Sequence, residues 1–144
     1  MTDAMPRAAT LALLQRYYDA FNQQDWAGML DCLTEDVAHD LNQGVREIGR
    51  PAFAAFLARM ATCYREQLEP VVLMASDDGS RGAAEYVVHG TYLADDEGLP
   101  PATGQQYRLP GGAFFALENG RISRVSSYCN LEDWIDQVLP EDAY

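Results

Sequence analysis

Residues 107–130 read YRLPGGAFFALENGRISRVSSYCN. Asn119-Gly120 stands between two runs rich in β-branched, aromatic and small residues. A two-residue type I′ turn needs φ > 0 at both central positions, and Asn and Gly reach that region at least cost. The spacing therefore predicts paired antiparallel strands over Ala113–Glu118 and Arg121–Tyr128, in the middle of a curved sheet. Phe115 and Leu117 alternate with Phe114 and Ala116, so both faces of the first strand are apolar. Helices can cover only one of them. The other predicts a homodimer, because an uncovered face would expose an apolar patch.

Working outward, residues 8–24 carry Leu11, Leu14, Tyr18 and Phe21 at helical spacing, widened by Leu13 and Tyr17. Asp25 suits an N-cap for a short second helix bearing Trp26, Met29, Leu30 and Leu33. VAHDLNQG (37–44) reads as a strand and a turn at Asn42-Gln43-Gly44, and Val45–Ile48 returns. Gly49-Arg50-Pro51 opens a third helix with a stripe of Phe53, Phe56, Leu57, Met60 and Tyr64. Pro70 ends any helix, and strands are expected over Val71–Ala75 and Ala83–Leu93. Asp95–Gly104 is an acidic loop holding Pro100-Pro101. Asn130 caps a last helix in which Leu131, Trp134, Ile135 and Val138 are buried. Helices ahead of a mainly antiparallel sheet predict an α+β domain spanning 1–144, with a cone-shaped cavity between the two layers.

The 144 residues are 48% hydrophobic and carry a net charge of −12. That charge argues against nucleic acid and against an anionic membrane surface, since both need a basic face. No apolar run approaches a membrane span and the N-terminus lacks a signal pattern, so a cytoplasmic location is expected. Cys32, Cys63 and Cys129 show neither disulfide arithmetic nor metal spacing. The two histidines lie in no metal-ligand pattern, and no nucleotide or nucleophile-elbow motif occurs, so neither metal nor cofactor is expected.

RYYDAFNQQDWAGMLDCLTEDV (16–37), GRPAFAAFL (49–57) and FFALENGRISRV (114–125) together resemble the NTF2-like superfamily. DLNQG, EYVVHGTY, LPGGAFF and YCNLEDW resemble its SnoaL-like, ketosteroid isomerase-related group. The resemblance covers nearly the whole chain. It implies a cone-shaped (cystatin-like) α+β fold, with three N-terminal helices on a curved sheet and a short C-terminal helix. It also implies a small apolar or carbonyl-containing ligand. The isomerase's oxyanion-hole tyrosine corresponds to Tyr17, after Arg16. Its general base corresponds to Leu41, next to Asp40, and its second oxyanion donor to Gly112. Two of three parts are thus replaced, which argues against isomerisation of Δ5-3-ketosteroids.

Four residues are candidate catalytic groups: Tyr17, Asp40, Glu85 and His89. Tyr17 would donate to a developing enolate, or be a core tyrosine bonded to backbone. His39 and Asp40 are strand neighbours, so only one faces the cavity. If Asp40 does, so does Asn42; if His39 does, Val37 and Leu41 line the pocket with it. Glu85 and His89 share a face with Val87 and Thr91, an ionisable pair within an apolar strand. They serve as base and shuttle if that face is inward. Otherwise the face meets solvent or a dimer partner, with Glu85 paired to Arg108 or Arg124. The expected pocket wall comprises His39, Leu41, Asn42, Gly112, Phe114, Val125, Ser127 and Cys129.

These residues fit cofactor-independent general acid–base chemistry of the isomerase type on a small apolar carbonyl compound. Two alternatives stand beside it. One is a non-catalytic ligand-binding dimer, which predicts Asp40, Glu85 and His89 all pointing away from the pocket. The other is a hydrolase or cyclase using activated water.

Overall fold

The computed structural model describes residues 6–42 and 44–140. Helices α1 (Arg7–Asn22) and α2 (Trp26–Asp31) precede strands β1 (Leu33–Leu41) and β2 (Arg46–Ile48). Helix α3 (Arg50–Cys63) follows, then β3 (Tyr64–Ala75), β4 (Arg81–Tyr92), β5 (Gln106–Glu118), β6 (Arg121–Cys129) and α4 (Leu131–Val138). The α+β order is the expected one, with one correction. Only two helices precede the sheet, because α3 is inserted between β2 and β3. In the expected Asn42-Gln43-Gly44 turn, Gln43 lies outside the described residues.

One six-stranded sheet runs β2-β1-β6-β5-β4-β3. All its pairs are antiparallel except β1 with β6. The β5–β6 turn is as expected: Asn119 has φ 53° and Gly120 φ 76°, and Glu118 pairs with Arg121. Register shifts at Leu33/Ala38, Leu68/Val71 and Ala116/Leu117 bend three of the strand pairs.

Residues of the family pattern carry specific local work. The Asn22 side chain donates from Nδ2 to Leu68 O (3.0 Å) and accepts the Leu68 N–H at Oδ1 (2.8 Å), so it acts as a strand neighbour for the edge strand β3. Asp25 caps α2 through the Gly28 N–H, and Asn130 caps α4 through the Asp133 N–H. The Arg50 guanidinium donates twice to Leu33 O, at 2.6 and 3.1 Å, tying α3 to the start of β1.

Some boundaries differ from those read in the sequence. Strand β3 begins at Tyr64, not Val71, and passes through Pro70. Proline is tolerated there because β3 is the sheet edge and its missing N–H has no ladder partner to lose. Tyr64 therefore belongs to β3 rather than to the stripe of α3, and Leu131 is exposed on α4. Strand β5 starts at Gln106; beyond the end of β6 its edge is covered by Gln137 of α4, which accepts the Arg108 N–H and donates to Arg108 O.

The core lies between the inner sheet face and α1, α3 and α4. Phe115, Leu117, Ile122 and Val125 are buried in it, and Tyr17 and Tyr18 meet Phe115 edge-on. Phe114 faces outward, 53% exposed, with its ring edge-on to Tyr128.

Candidate functional site

Register defines the floor of the site. Leu41, Ser127, Ala113 and Ala84 form one row across β1, β6, β5 and β4. The next inward rows are Cys129–Gly111–Tyr86, Leu109–Val88–Leu68 and Tyr107–Gly90–Glu66. The middle of this floor is built of small residues, and the helices arch over it. They leave a cavity of about 630 Å³ whose walls include Tyr17, Tyr18, Phe53, Phe56, Tyr86 and Trp134. A separate cleft of about 620 Å³ lies outside the fold, among Thr34, Glu35, Asp36, Arg50, Glu118 and Arg121. Its walls are mixed surface charges, whereas the aromatic cavity encloses a titratable group, so the cavity is the candidate site.

That group is Glu66, on the inner face of β3. Burial pushes its carboxyl pKa above the ordinary value, against the opposing effect of a hydrogen bond from Tyr107. The Tyr107 hydroxyl donates to Glu66 Oε2, and its ring meets Trp134 edge-on, with centroids 5.8 Å apart. Glu66 Oε1 has no hydrogen-bond partner among the described residues and is not sealed from the cavity. The charge of Glu66 is felt at Tyr86 and at Cys129, and Tyr86 in turn by Tyr17 and Tyr18. Burial pushes all three phenols upward, so they remain neutral O–H donors. The Tyr17 and Tyr18 hydroxyls have no hydrogen-bond partner among the described residues, and both residues line the cavity. The cavity thus holds the Glu66 carboxyl and several neutral hydroxyls within an aromatic shell.

Tyr64 and Tyr92 anchor the 93–105 loop at the rim. Tyr64 donates to Asp96 Oδ2 (2.7 Å), Tyr92 donates to Pro100 O (2.7 Å), and the Asp96 N–H donates back to the Tyr92 hydroxyl (3.0 Å). Asp96, Glu97, Leu99 and Arg59 border the cavity there. Among the described residues, no group of three or more His, Cys, Asp or Glu side chains is placed to hold a metal ion.

Of the residues proposed from sequence, Tyr17, His39, Leu41, Asn42, Ser127 and Cys129 line the cavity. Asn42 accepts the Cys129 N–H at 2.8 Å and so closes the end of β6. Val125 is buried on the inner face but lies below the cavity surface. The expected places of Gly112 and Phe114 in the pocket wall are corrected, and the alternatives left open at Asp40, Glu85 and His89 resolve outward. Asp40, Glu85, His89, Gly112 and Phe114 all lie on the outer face of the sheet, because their strands turn the alternate residues toward the helices. Asp40 accepts from Arg46 (2.6 and 3.0 Å) and from Ser126 (2.6 Å), which lowers its pKa to about 2. His89 Nε2 meets Glu69 O at 2.8 Å across the β3–β4 pair. Glu85 makes no ion pair with Arg108 or Arg124 among the described residues.

Glu66 was not singled out in the sequence. Its signal is the alternation Tyr64-x-Glu66-x-Leu68, which disappears when α3 is run through Tyr64. Trp134, read only as core, and Tyr18, Tyr86 and Tyr107 are further residues whose part in the site was missed.

The family of SnoaL-like domains matches residues 14–125. A proposed polyketide cyclase of Xanthomonas campestris pv. campestris is 60% identical, covers 92% of this chain and 98% of its own, and superposes with a TM-score of 0.89. A proposed polyketide cyclase of Pseudomonas putida KT2440 is 53% identical over 94% of this chain and 99% of its own, with a TM-score of 0.90. A proposed ketosteroid isomerase of Kribbella flavida DSM 17836 is 27% identical over 90% of this chain and 82% of its own, with a TM-score of 0.60. No curated protein matches the chain.

Proposed function

Because the chain belongs to the family of SnoaL-like domains, we propose that it binds a compact, mainly apolar carbonyl compound in its aromatic cavity and moves a proton on it, with Glu66 as the exchanging carboxyl. The observation that carries this is the partly buried Glu66 carboxyl, its pKa raised, facing a cavity that also presents neutral tyrosine hydroxyls. A carboxylate of raised pKa is a better base than a solvated one. It removes a proton from the carbon next to a carbonyl, and a phenolic O–H of Tyr17 or Tyr18, neither bonded within the protein among the described residues, stabilises the enolate oxygen. Returning that proton to a different carbon is an isomerisation. If the enolate carbon instead attacks a second carbonyl in the same molecule, a C–C bond closes a ring, and the new alkoxide takes the proton from Glu66. The second outcome agrees with the name polyketide cyclase carried by the two most identical relatives described above. Neither route calls for a cofactor.

Exchange of the α-protons of 2-tetralone into D2O, followed by NMR, tests this without knowledge of the natural substrate. Wild type should accelerate exchange above buffer, and Glu66→Gln should remove about 100-fold of that acceleration. Equal rates for the two proteins would remove Glu66 from the chemistry.

A second reading is favoured by one observation: Asp40, Glu85 and His89 all point away from the cavity, as a non-catalytic binding protein predicts. Such a protein would bind 2-tetralone without accelerating exchange. In either case we propose a homodimer through the outer sheet face, where Ile48, Val72, Met74, Phe114 and Tyr128 are exposed.

A further inference from the structure

We infer that His39 is a neutral hydrogen-bond donor, its Nε2–H directed into the cavity, and that the ligand carries a carbonyl or similar acceptor at the His39 end of a flat aromatic body. This rests on the cavity being a ligand site, as proposed above, but not on Glu66 being a base.

His39 lies on the inner face of β1 and is only 3% exposed. It borders the cavity, and its ring is held at 4.5 Å from Phe53 (32° between planes) and at 4.7 Å, edge-on, from Phe56. Nδ1 is buried with no hydrogen-bond partner, while Nε2, also without a protein partner among the described residues, is not sealed. A neutral imidazole has one N–H and one bare nitrogen. Leaving an N–H donor buried and unpaired costs more than leaving a lone pair unpaired in an aromatic setting, since under-satisfied acceptors are the commoner exception in folded proteins. The proton therefore belongs on Nε2, where a ligand can meet it. Burial among the two phenylalanines also keeps the ring uncharged, lowering its pKa to about 4 against the opposing pull of Asp40 on the other face of β1. A neutral imidazole at this position polarises a carbonyl without competing for the proton handled elsewhere.

Elsewhere in the cavity stand the polar groups already described. His39 stands on β1 and Glu66 on β3, with β6, β5 and β4 between them in the sheet. The two polar positions thus lie at opposite sides of the cavity floor. A ligand that satisfies both has an acceptor at one end and an exchangeable proton or hydroxyl at the other. The nearby Phe53 and Phe56 rings favour a planar, unsaturated body between them.

The test compares 2-acetylnaphthalene with 2-isopropenylnaphthalene, which has the same shape but no acceptor. Binding is measured by fluorescence to wild type, His39→Phe and His39→Gln. Wild type should prefer the ketone by about tenfold. His39→Phe should erase that preference while keeping affinity for the hydrocarbon, and His39→Gln, which restores an N–H, should recover part of it. In parallel, 15N NMR of histidine-labelled protein should show His39 protonated at Nε2. A ketone preference identical in all three proteins overturns the inference and leaves the Glu66 chemistry standing. A proton found on Nδ1 overturns it as well. Failure of wild type to bind either naphthalene overturns both this inference and the cavity as a ligand site.

Discussion

Tyr107 reaches Glu66 by crossing over Gly90. The three residues form one inward row, with Gly90 of β4 paired to Glu66 of β3 on one side and to Tyr107 of β5 on the other. A side chain on the middle strand would fill the space the phenol occupies. A Cβ built at Gly90 would stand 2.2 Å from Tyr107 Cζ and 2.4 Å from its hydroxyl oxygen. The glycine is there for close approach, and the carboxyl gains its partner through that gap.

Gly90→Ala is therefore expected to displace the Tyr107 ring and break the bond to Glu66 while every polar group remains present. Overpacking of this kind costs about 1–3 kcal/mol, to be read from urea denaturation. The Glu66 pKa should rise further, because the hydrogen bond that opposes burial is lost. An unchanged carboxyl titration by 13C NMR would mean that Tyr107 does not tune Glu66.

Glu66→Gln should change stability in a pH-dependent way. The folded-state pKa of Glu66 is raised above its ordinary 4.5, so the protonated form is the one the fold tolerates. Wild type is then undiminished below pH 4.5 and loses stability as pH rises through the folded value. Glutamine never ionises. The variant should match wild type at acid pH and exceed it at pH 8. Equal stability at both would indicate a carboxyl in full contact with water.

Asp40→Asn should have the opposite pH signature and no effect on ligand binding. Its pKa is lowered to about 2 by hydrogen bonds from Arg46 and Ser126, so its contribution is present above its ordinary 3.8 and disappears as pH falls through about 2. Arg46 is more than half exposed, so the loss should be small and should shrink further in salt. A fall in affinity for 2-acetylnaphthalene of more than about tenfold would contradict the placement of Asp40 on the outer face.

Asn22→Ala removes both hydrogen bonds to the Leu68 backbone at the edge of the sheet. A cost of about 2 kcal/mol is expected. Hydrogen exchange should show the loss first at the Leu68 amide. Uniform loosening of the whole sheet would mean that Asn22 serves α1 rather than β3.

Phe114→Arg should convert a dimer to a monomer in sedimentation at micromolar concentration while leaving thermal unfolding of the subunit cooperative. The side chain is 53% exposed on the outer face, so the charge itself is tolerated by the monomer. A monomeric wild type would dismiss the sheet-face dimer altogether.

Much of the fold was legible because its signals are local. Asn119-Gly120 demands a left-handed turn, the leucines and tyrosines of α1 recur at helical spacing, and Asp25 and Asn130 cap the helices that follow them. Each of these depends on residues within a turn of one another. The same local character explains the errors at β3. Its apolar Tyr64 continues the stripe of α3, and Pro70 suggests a break that an edge strand does not need.

By itself the sequence determined the order of elements, the central hairpin and the presence of an apolar inner layer. Only the tertiary structure decided which face of each strand is that inner layer. Along β4 both alternations contain apolar residues, Tyr86 and Val88 on one side and Ala83 and Val87 on the other, so the pattern alone leaves Glu85 and His89 free to point either way. The choice falls when helices cover one face, and then His39 is inside and Asp40 outside. Glu66 shows why the site was the harder part. Its hydrogen-bond partner lies 41 residues away, and its line of approach runs over Gly90 on the strand between them. Such a group acquires its environment from strand register, a long-range property that no short window of residues contains.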